Sequence, residues 1–275
     1  MAEKTWFITG TSRGFGREWA VAALERGDRV AATARDPETL ADLAEEHGDA
    51  LLALPLDVTD RKAVFATVGR AHEHFGRLDV VVNNAGYGQF GMVEEVSEQE
   101  ARDQFETNVF GALWVTQAAL PYLREQQAGH ILQVSSIGGI SAFPNIGIYN
   151  ASKWALEAFS QSLAQEVAGF GIKVTIIEPG GYSTDWGGSS AKHATAMTEY
   201  DAAREQMQQR RAAAVPGDPT ATREAVLKVV DAENPPLRIF FGDGPLAIAT
   251  RDYESRLATW REWEPVSIEA HGEKS

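Results

Sequence analysis

Tyr149 and Lys153 stand four residues apart in the run Tyr149-Asn150-Ala151-Ser152-Lys153. On a helix that spacing puts both side chains on one face, a turn apart. A free phenol has a pKa of roughly 10, too high for efficient proton transfer at neutral pH. A nearby ammonium favours phenolate, and about 1.4 kcal/mol of such bias lowers the pKa by about one unit. The pair therefore reads as a proton-transfer device, with Tyr149 giving a proton to a carbonyl oxygen or taking one from an alcohol. Ser136, in Ser135-Ser136-Ile137-Gly138, would hydrogen-bond the same oxygen and stabilise its developing charge. Ser135, nearer the preceding strand, reads as a supporting neighbour. Taken singly, a Tyr and Lys at this spacing make an ordinary surface pair and a serine here an ordinary turn hydroxyl.

The partner of such a device is signalled at the other end of the chain. Gly10, Thr11, Ser12, Arg13, Gly14, Phe15 and Gly16 form a glycine-rich turn between an apolar strand and a helix. Glycines there let the backbone approach a pyrophosphate, and the helix N-terminus offers free N–H groups and positive potential. After the second strand, Ala34 occupies the place where an acid usually binds the ribose 2′-hydroxyl, and Arg35 follows. Arg13 and Arg35 near one ribose favour a 2′-phosphate, so NADP(H) is expected over NAD(H). Asp57 and Val58 follow the third strand, where adenine would lie. Asn84, Ala85 and Gly86 follow the fourth; Asn83 and Asn84 read as partly structural, with Ala85 and Gly86 close to the nucleotide.

These motifs fall on a regular alternation of elements. Strands are expected at Thr5–Thr9, 29–33, 50–56, Val80–Asn83, 130–135, 173–178 and 237–241. Helices are expected at Gly14–Glu25, 37–47, Arg61–Phe75, 97–123 and 149–168. Apolar strands alternating with helices predict an α/β, Rossmann-like doubly wound parallel sheet of about seven strands with helices on both faces. The whole chain, 1–275, reads as one domain. The polar stretch 182–218, helical beyond Glu199, reads as a substrate lid. A C-terminal helical extension at about 245–265 is expected to end at Pro265, with Leu257, Trp260 and Trp263 packed into the core and the last few residues frayed.

Composition narrows the classes. The formal net charge of −14 disfavours nucleic acid and anionic membranes as partners. No run of about 18 apolar residues is present, so no membrane span is expected. The N-terminus does not read as a signal peptide, and the chain has no cysteine, which together suggest a cytoplasmic protein. No His/Asp/Glu cluster has metal-binding spacing; His72 and His74 should face different sides of their helix, so no metal is expected.

Thr9–Gly16, Asn83–Gly86, Asn108, Ser136, Tyr149, Lys153 and Pro179-Gly180, in this order, resemble the single-domain short-chain dehydrogenases/reductases. The resemblance spans roughly residues 5–185 and the final strand, with a diffuse similarity to the retinol and 17β-hydroxysteroid dehydrogenase-like branch. It implies that Lys153 also holds the nicotinamide ribose and that Asn108 supports a water linking Lys153 to solvent. It implies that Pro179, Gly180 and Thr184 lie along the nicotinamide and that the pro-S hydride is transferred. It also implies a homodimer or homotetramer, for which Val115, Ala118, Ala119, Phe159 and Leu163 are candidate contacts.

Loops at the carboxyl ends of the strands supply candidate substrate contacts: Tyr87, Phe90, Met92, Phe143, Pro144, Tyr182 and Trp186. Of these, Phe143, Tyr182 and Trp186 join Ser136 and Tyr149 as the expected substrate site. An aromatic lining suits a small-molecule carbonyl or alcohol of bulky apolar character. Three readings follow: an NADPH-dependent carbonyl reductase, a catalytically silent NADP(H)-binding sensor with the same fold, and an epimerase or dehydratase. Filled catalytic positions argue against the second, and little room for a larger substrate domain argues against the third.

Overall fold

The computed structural model describes residues 3–212 and 215–272, and at 210–212 the backbone only. Seven strands form one parallel sheet: β1 (Thr5–Thr9), β2 (Arg29–Ala34), β3 (Leu51–Pro55), β4 (Val80–Asn83), β6 (Gly129–Val134), β7 (Ile172–Pro179) and β9 (Arg238–Phe241). Their order is β3-β2-β1-β4-β6-β7-β9, so the chain reverses its direction of travel across the sheet between β1 and β4. That reversal opens a crevice at the carboxyl ends of the strands. β5 (Gln89–Phe90) and β8 (Lys192–His193) pair separately in a second, two-stranded sheet.

Alternation along each strand divides the core. Trp6, Ile8, Val80, Val82 and Leu132 point to one face, against Trp19 and Leu24 of α1 (Gly14–Glu25). Phe7, Val81 and Ile131 point to the other. There they meet α3 (Arg61–Phe75), α5 (Ala112–Gln126) and α6 (Gly147–Val167). Strands covered on both faces carry continuous apolar runs, such as Trp6-Phe7-Ile8 and Val80-Val81-Val82 here.

Several local expectations change. The helix expected at 37–47 is a 3₁₀ turn, Pro37–Leu40, capped by Asp36, followed by α2 (Ala41–His47). The helix expected at 97–123 begins with a capping box of Ser97 and Glu100 at α4 (Glu98–Phe105), then widens into a π-helical segment, Glu106–Gly111, before α5. The extra residue per turn there is absorbed exactly where Asn108 sits, a common placement for such bulges. An unanticipated helix, α8 (Thr222–Asp231), follows a 3₁₀ turn, Pro219–Ala221, that Asp218 caps. It packs on α1, where Trp19 Nε1 donates to Thr222 Oγ1 at 2.8 Å.

The tail departs most. α9 (Pro245–Glu269) continues through Pro265. Proline removes one helical hydrogen bond, but on an exposed helix water can take the freed carbonyl. Leu257, Trp260 and Trp263 do not enter the core; Trp260 is 60% exposed and Trp263 59%. Only the first turns of α9 touch the body, where Ala249 packs with Ile137 and Ile140. The expected fraying at the extreme C-terminus, 273–275, lies outside the described residues.

The proposed interface residues are also reassigned. Val115, Ala118, Ala119 and Leu163 are buried in the chain's own core, and Phe159 packs against it. Trp114 of α5 and Phe159 of α6 are only partly buried, and Trp154 of α6 is exposed. Among the described residues, no helix is long and apolar enough to cross a membrane.

Candidate active site

The glycine turn is shaped by its neighbours. Gly10 and Gly14 have φ of +70° and +59°, a region that L side chains rarely adopt. A Cβ on Gly16 would collide with the Gly10 carbonyl and the Asn84 amide. Asn84 Nδ2 donates to the Thr9 and Gly10 carbonyls at 2.8 and 2.9 Å, stapling the turn to the loop after β4. Thr9 Oγ1 completes the joint by accepting the Asn84 and Ala85 amides, both at 3.0 Å. Arg13 is the N-cap of α1 but makes no side-chain cap, so the first amides of that helix are unclaimed. An open backbone cradle at a helix N-terminus fits a dinucleotide pyrophosphate.

A cleft of about 1310 Å³ runs from this turn to the start of α6. Its nucleotide end is walled by Gly10, Ser12, Arg13, Gly14, Phe15 and Arg35, with Asp57 and Val58 beside them. Ala85 and Gly86 lead to Tyr149 and Lys153, and Pro179, Gly180 and Thr184 close the far side. Two residues of the expected set stand behind the wall. Thr11 is fully buried, its hydroxyl donated to Thr33 O at 3.1 Å, and Gly16 packs beneath Asn84. Asn84 reaches the cleft, but its amide is spent on the backbone. Asp57 Oδ1 accepts the Thr59 amide and hydroxyl in a local turn.

Arg35 is exposed and has no hydrogen bond or ion pair with any described residue. Arg13 is paired with Asp185 and donates to Ser189 Oγ at 2.9 Å. Sequence reasoning missed Asp185, which lies across the cleft in the region read as a lid. Hydrogen bonds from Ser189 and Ser190, and then the charge of Arg13, hold its carboxyl at about 2.

At the other end, Ser136 caps a 3₁₀ turn, its Oγ accepting the Gly138 amide at 3.0 Å. Its hydroxyl is close enough to the Tyr149 phenol to favour the phenolate there. Lys153 Nζ lies 5.8 Å from the Tyr149 ring centre and donates to Val134 O at 2.7 Å. Burial lowers Lys153 to about 8, opposed by the charge of Glu157. Burial also pushes Tyr149 up to about 12, and Ser136 only partly opposes this. The shift runs opposite to the expected lowering: in the protein alone desolvation outweighs the Ser136 hydroxyl, and Tyr149 is held as the neutral proton donor.

Asn108 is buried in the π segment, its Nδ2 donating to Tyr87 O and Ser152 Oγ, each at 3.1 Å. It makes no direct bond to Lys153. Gly86 lies between them: a Cβ there would sit 3.0 Å from Asn108 Oδ1 and 3.7 Å from Lys153 Nζ.

Trp186 covers the phenol, with ring centres 4.9 Å from Tyr149 and 5.1 Å from Phe90. Its Nε1 is buried without a partner. Tyr182 reaches the cleft but packs edge-on against Phe15 at 5.0 Å, so much of it is structural. Phe143 and Pro144 are shared with a second, more open cavity of about 750 Å³ lined by Met92, Val93 and Trp154. Within the stretch expected as a lid, helix α7 (Asp201–Ala212) is anchored by Arg204, whose Nη1 meets the nearly buried Glu95 at 2.5 Å. Residues 213–214 of the expected lid lie outside the described residues. His72 stacks on Tyr122 and His74 meets Phe75 edge-on, so the two do face different sides.

A parallel sheet with this strand order and a Ser-Tyr-Lys group at its carboxyl edge define a nicotinamide-type oxidoreductase fold. The chain belongs to the short-chain dehydrogenase family, whose model it matches over residues 4–195. It is 43% identical over 269 residues to the oxidoreductase BOA17 of Botryotinia fuckeliana, covering 96% of this chain and 98% of that one. A crystal structure of a short-chain dehydrogenase from Streptomyces avermitilis superposes with a TM-score of 0.92 at 40% identity, covering 98% of each chain. An alcohol dehydrogenase from Thermococcus sibiricus, complexed with 5-hydroxy-NADP, has a TM-score of 0.74 at 27% identity, covering 87% of this chain and 96% of that one. A family member from Burkholderia phymatum in complex with NAD has a TM-score of 0.82 at 25% identity, covering 94% and 95%. The protein is thus an oxidoreductase whose structural relatives bind both NADP- and NAD-type cofactors.

Proposed function

We propose that the protein is an NADP(H)-dependent carbonyl reductase, reversible as a secondary-alcohol dehydrogenase, acting on a bulky apolar small molecule. The observation that carries this reading is the Tyr149 phenol, with Ser136 and Lys153 beside it in the cleft that the glycine turn opens. The cofactor, when bound, supplies or accepts the hydride and in its oxidised form adds positive charge near the phenol.

The chain's own groups do the rest. Tyr149 gives its proton to the carbonyl oxygen as that oxygen gains charge. Ser136, whose oxygen already accepts the Gly138 amide, keeps its own proton for the same oxygen. Lys153 holds positive charge behind the phenol and, by family likeness, the nicotinamide ribose. Gly10, Ser12, Gly14 and Phe15 with the helix N-terminus would hold the pyrophosphate, and, by family likeness, Pro179, Gly180 and Thr184 would border the nicotinamide. Arg13 and Arg35 would grip a 2′-phosphate, which supports NADP(H) over NAD(H). Trp186 and Phe143 form the aromatic walls, and the cavity beyond Phe143 gives an apolar substrate room to extend.

In this reading residues 1–275 act as one domain with a lid at 182–218 and a C-terminal extension. It works in the cytoplasm as a homodimer or homotetramer, which light scattering would check.

The test is NADPH oxidation, against NADH, over aryl ketones, steroid ketones, retinal and short aliphatic ketones, with Tyr149→Phe as control. Turnover with NADPH that disappears in the variant supports the reductase. NADPH binding without turnover on any carbonyl would favour the silent sensor instead.

A further inference from the structure

Beneath the Tyr149–Lys153 pair lies a buried acidic cluster. Glu157 is one turn beyond Lys153 on α6, and Glu178 ends the apolar run of β7; they are 5% and 0% exposed. Arg238 of β9 is the cation that reaches both: its Nε is 2.9 Å from Glu157 Oε2 but 3.5 Å from Glu178 Oε1. The remainder of that guanidinium is engaged elsewhere, with Nη2 donating to Gln161 Oε1 at 2.9 Å. Treated as two carboxylates, the pair is badly served. Both oxygens of Glu178, Oε1 of Glu157 and Oγ of Ser135 lack hydrogen-bond partners.

Two buried carboxylates cannot both ionise around one shared guanidinium without a large desolvation cost. One proton removes the difficulty. With a proton on Glu178, that carboxyl and the Ser135 hydroxyl would each donate to Glu157. Every orphaned group except one Glu178 oxygen then has a partner. The negative charge stays on Glu157, which holds the shorter bond to Arg238 and is the nearer in sequence to Lys153. Gly139 seals the cluster: a Cβ there would sit 2.5 Å from Ser135 Oγ and 3.2 Å from Glu157 Oε1.

We propose that Glu157 and Glu178 share a single proton, and that the one negative charge left on Glu157 keeps Lys153 an ammonium in its buried site. Both are positioning residues: they act on the phenol only through Lys153. The charged groups facing the pair are Lys153 on α6 and Arg238 on β9; Ser135 after β6 and Gln161 on α6 are neutral. Burial raises both carboxyls, Glu178 further through the charge of Glu157, which agrees with the proton residing on Glu178. Glu157 is in turn the influence that opposes desolvation at Lys153.

The role assigned to Lys153 rests on the proposed function; the shared proton does not. Two isosteric substitutions separate the partners. Glu178→Gln keeps a neutral donor to Glu157, so kcat at pH 7 should stay within about threefold of the wild type, with its alkaline limb unmoved. Glu157→Gln removes the charge beside Lys153, so the alkaline limb should move down from about 8 by about one pH unit, a loss of about fivefold at pH 8. The limb is read both from turnover and from NADPH affinity, so it can be followed with the cofactor alone. Infrared spectroscopy of the wild type at pH 7 should show a protonated carboxyl that disappears in Glu178→Gln, whether or not any ketone is reduced. Absence of that band overturns the shared proton. Equal loss in both variants, or an unmoved limb in Glu157→Gln, overturns the link to Lys153. If no carbonyl turns over while the band and the affinity limb behave as expected, the proposed reaction fails and this inference stands.

Discussion

Arg13, at the mouth of the glycine turn, is paired with Asp185 across the cleft. If Arg13 meets a cofactor phosphate, as proposed, that phosphate would have to displace the Asp185 carboxylate. Asp185→Asn removes the competitor. NADPH should bind about threefold tighter, with a smaller change for NADH, measured by fluorescence titration. Both partners are substantially exposed, which keeps the effect modest. An unchanged NADPH Kd would mean that Arg13 does not meet the phosphate.

Arg35 has no competing partner among the described residues. Arg35→Asp should weaken NADPH by about tenfold or more and leave NADH within about threefold, since it exchanges an attraction for a repulsion at one phosphate. Equal weakening of both cofactors in the same titration would contradict the NADP(H) assignment.

Tyr149→Phe should abolish turnover, by about 10³-fold in kcat, and Ser136→Ala should cost about 10²-fold. Both should leave NADPH affinity nearly intact. Because burial holds Lys153 near 8, turnover should fall as pH rises through about 8 and the ammonium is lost. A pH–rate profile flat to pH 10 would argue against Lys153 as the required cation.

His130 is buried in β6, and desolvation lowers it to about 3, with the charges of Lys173 and Lys4 adding to this. Thr175 Oγ1 donates to Pro236 O, so His130 Nε2 must be the donor in its 2.9 Å bond to Thr175. The imidazole is thus neutral in the fold. A depressed pKa of this kind contributes stability that is present above about 6.5 and lost as pH falls toward about 3. Unfolding free energy should drop by up to about 1.4 kcal/mol per pH unit across that window. His130→Gln should flatten that slope in denaturant titrations at pH 4 to 7, and an unchanged slope would place the protonation elsewhere.

From Leu257 to Gly272 every residue of the tail is exposed. A segment that buries so little contributes little to the fold of one chain. Truncation after Arg256 should shift Tm by no more than about 2 °C. A much larger loss in thermal unfolding would show that the tail stabilises the protein through contacts outside the chain.

The sequence by itself determined the parallel sheet, the glycine turn and the Ser136-Tyr149-Lys153 group. Each is set by local chemistry: apolar alternation, the backbone freedom of glycine, and the fixed rise of a helix turn. Sequence also placed Arg13 and Arg35 on the walls of one cleft, in the loops after β1 and β2. The tertiary structure alone decided what surrounds them. Helical spacing made Trp260 and Trp263 resemble core residues, yet an amphipathic pattern does not say whether a partner surface exists, and here α9 runs past the body. The same spacing on α5 offered Val115 and Ala119 to another subunit, while the sheet had already covered them. Tyr149 shows the reason most plainly. Its neighbours in sequence argued for a lowered pKa, but the sign of the shift depends on desolvation, and burial is a property of the assembled chain. Glu157 and Glu178, 21 positions apart, become one acidic pair only because α6 packs on β7.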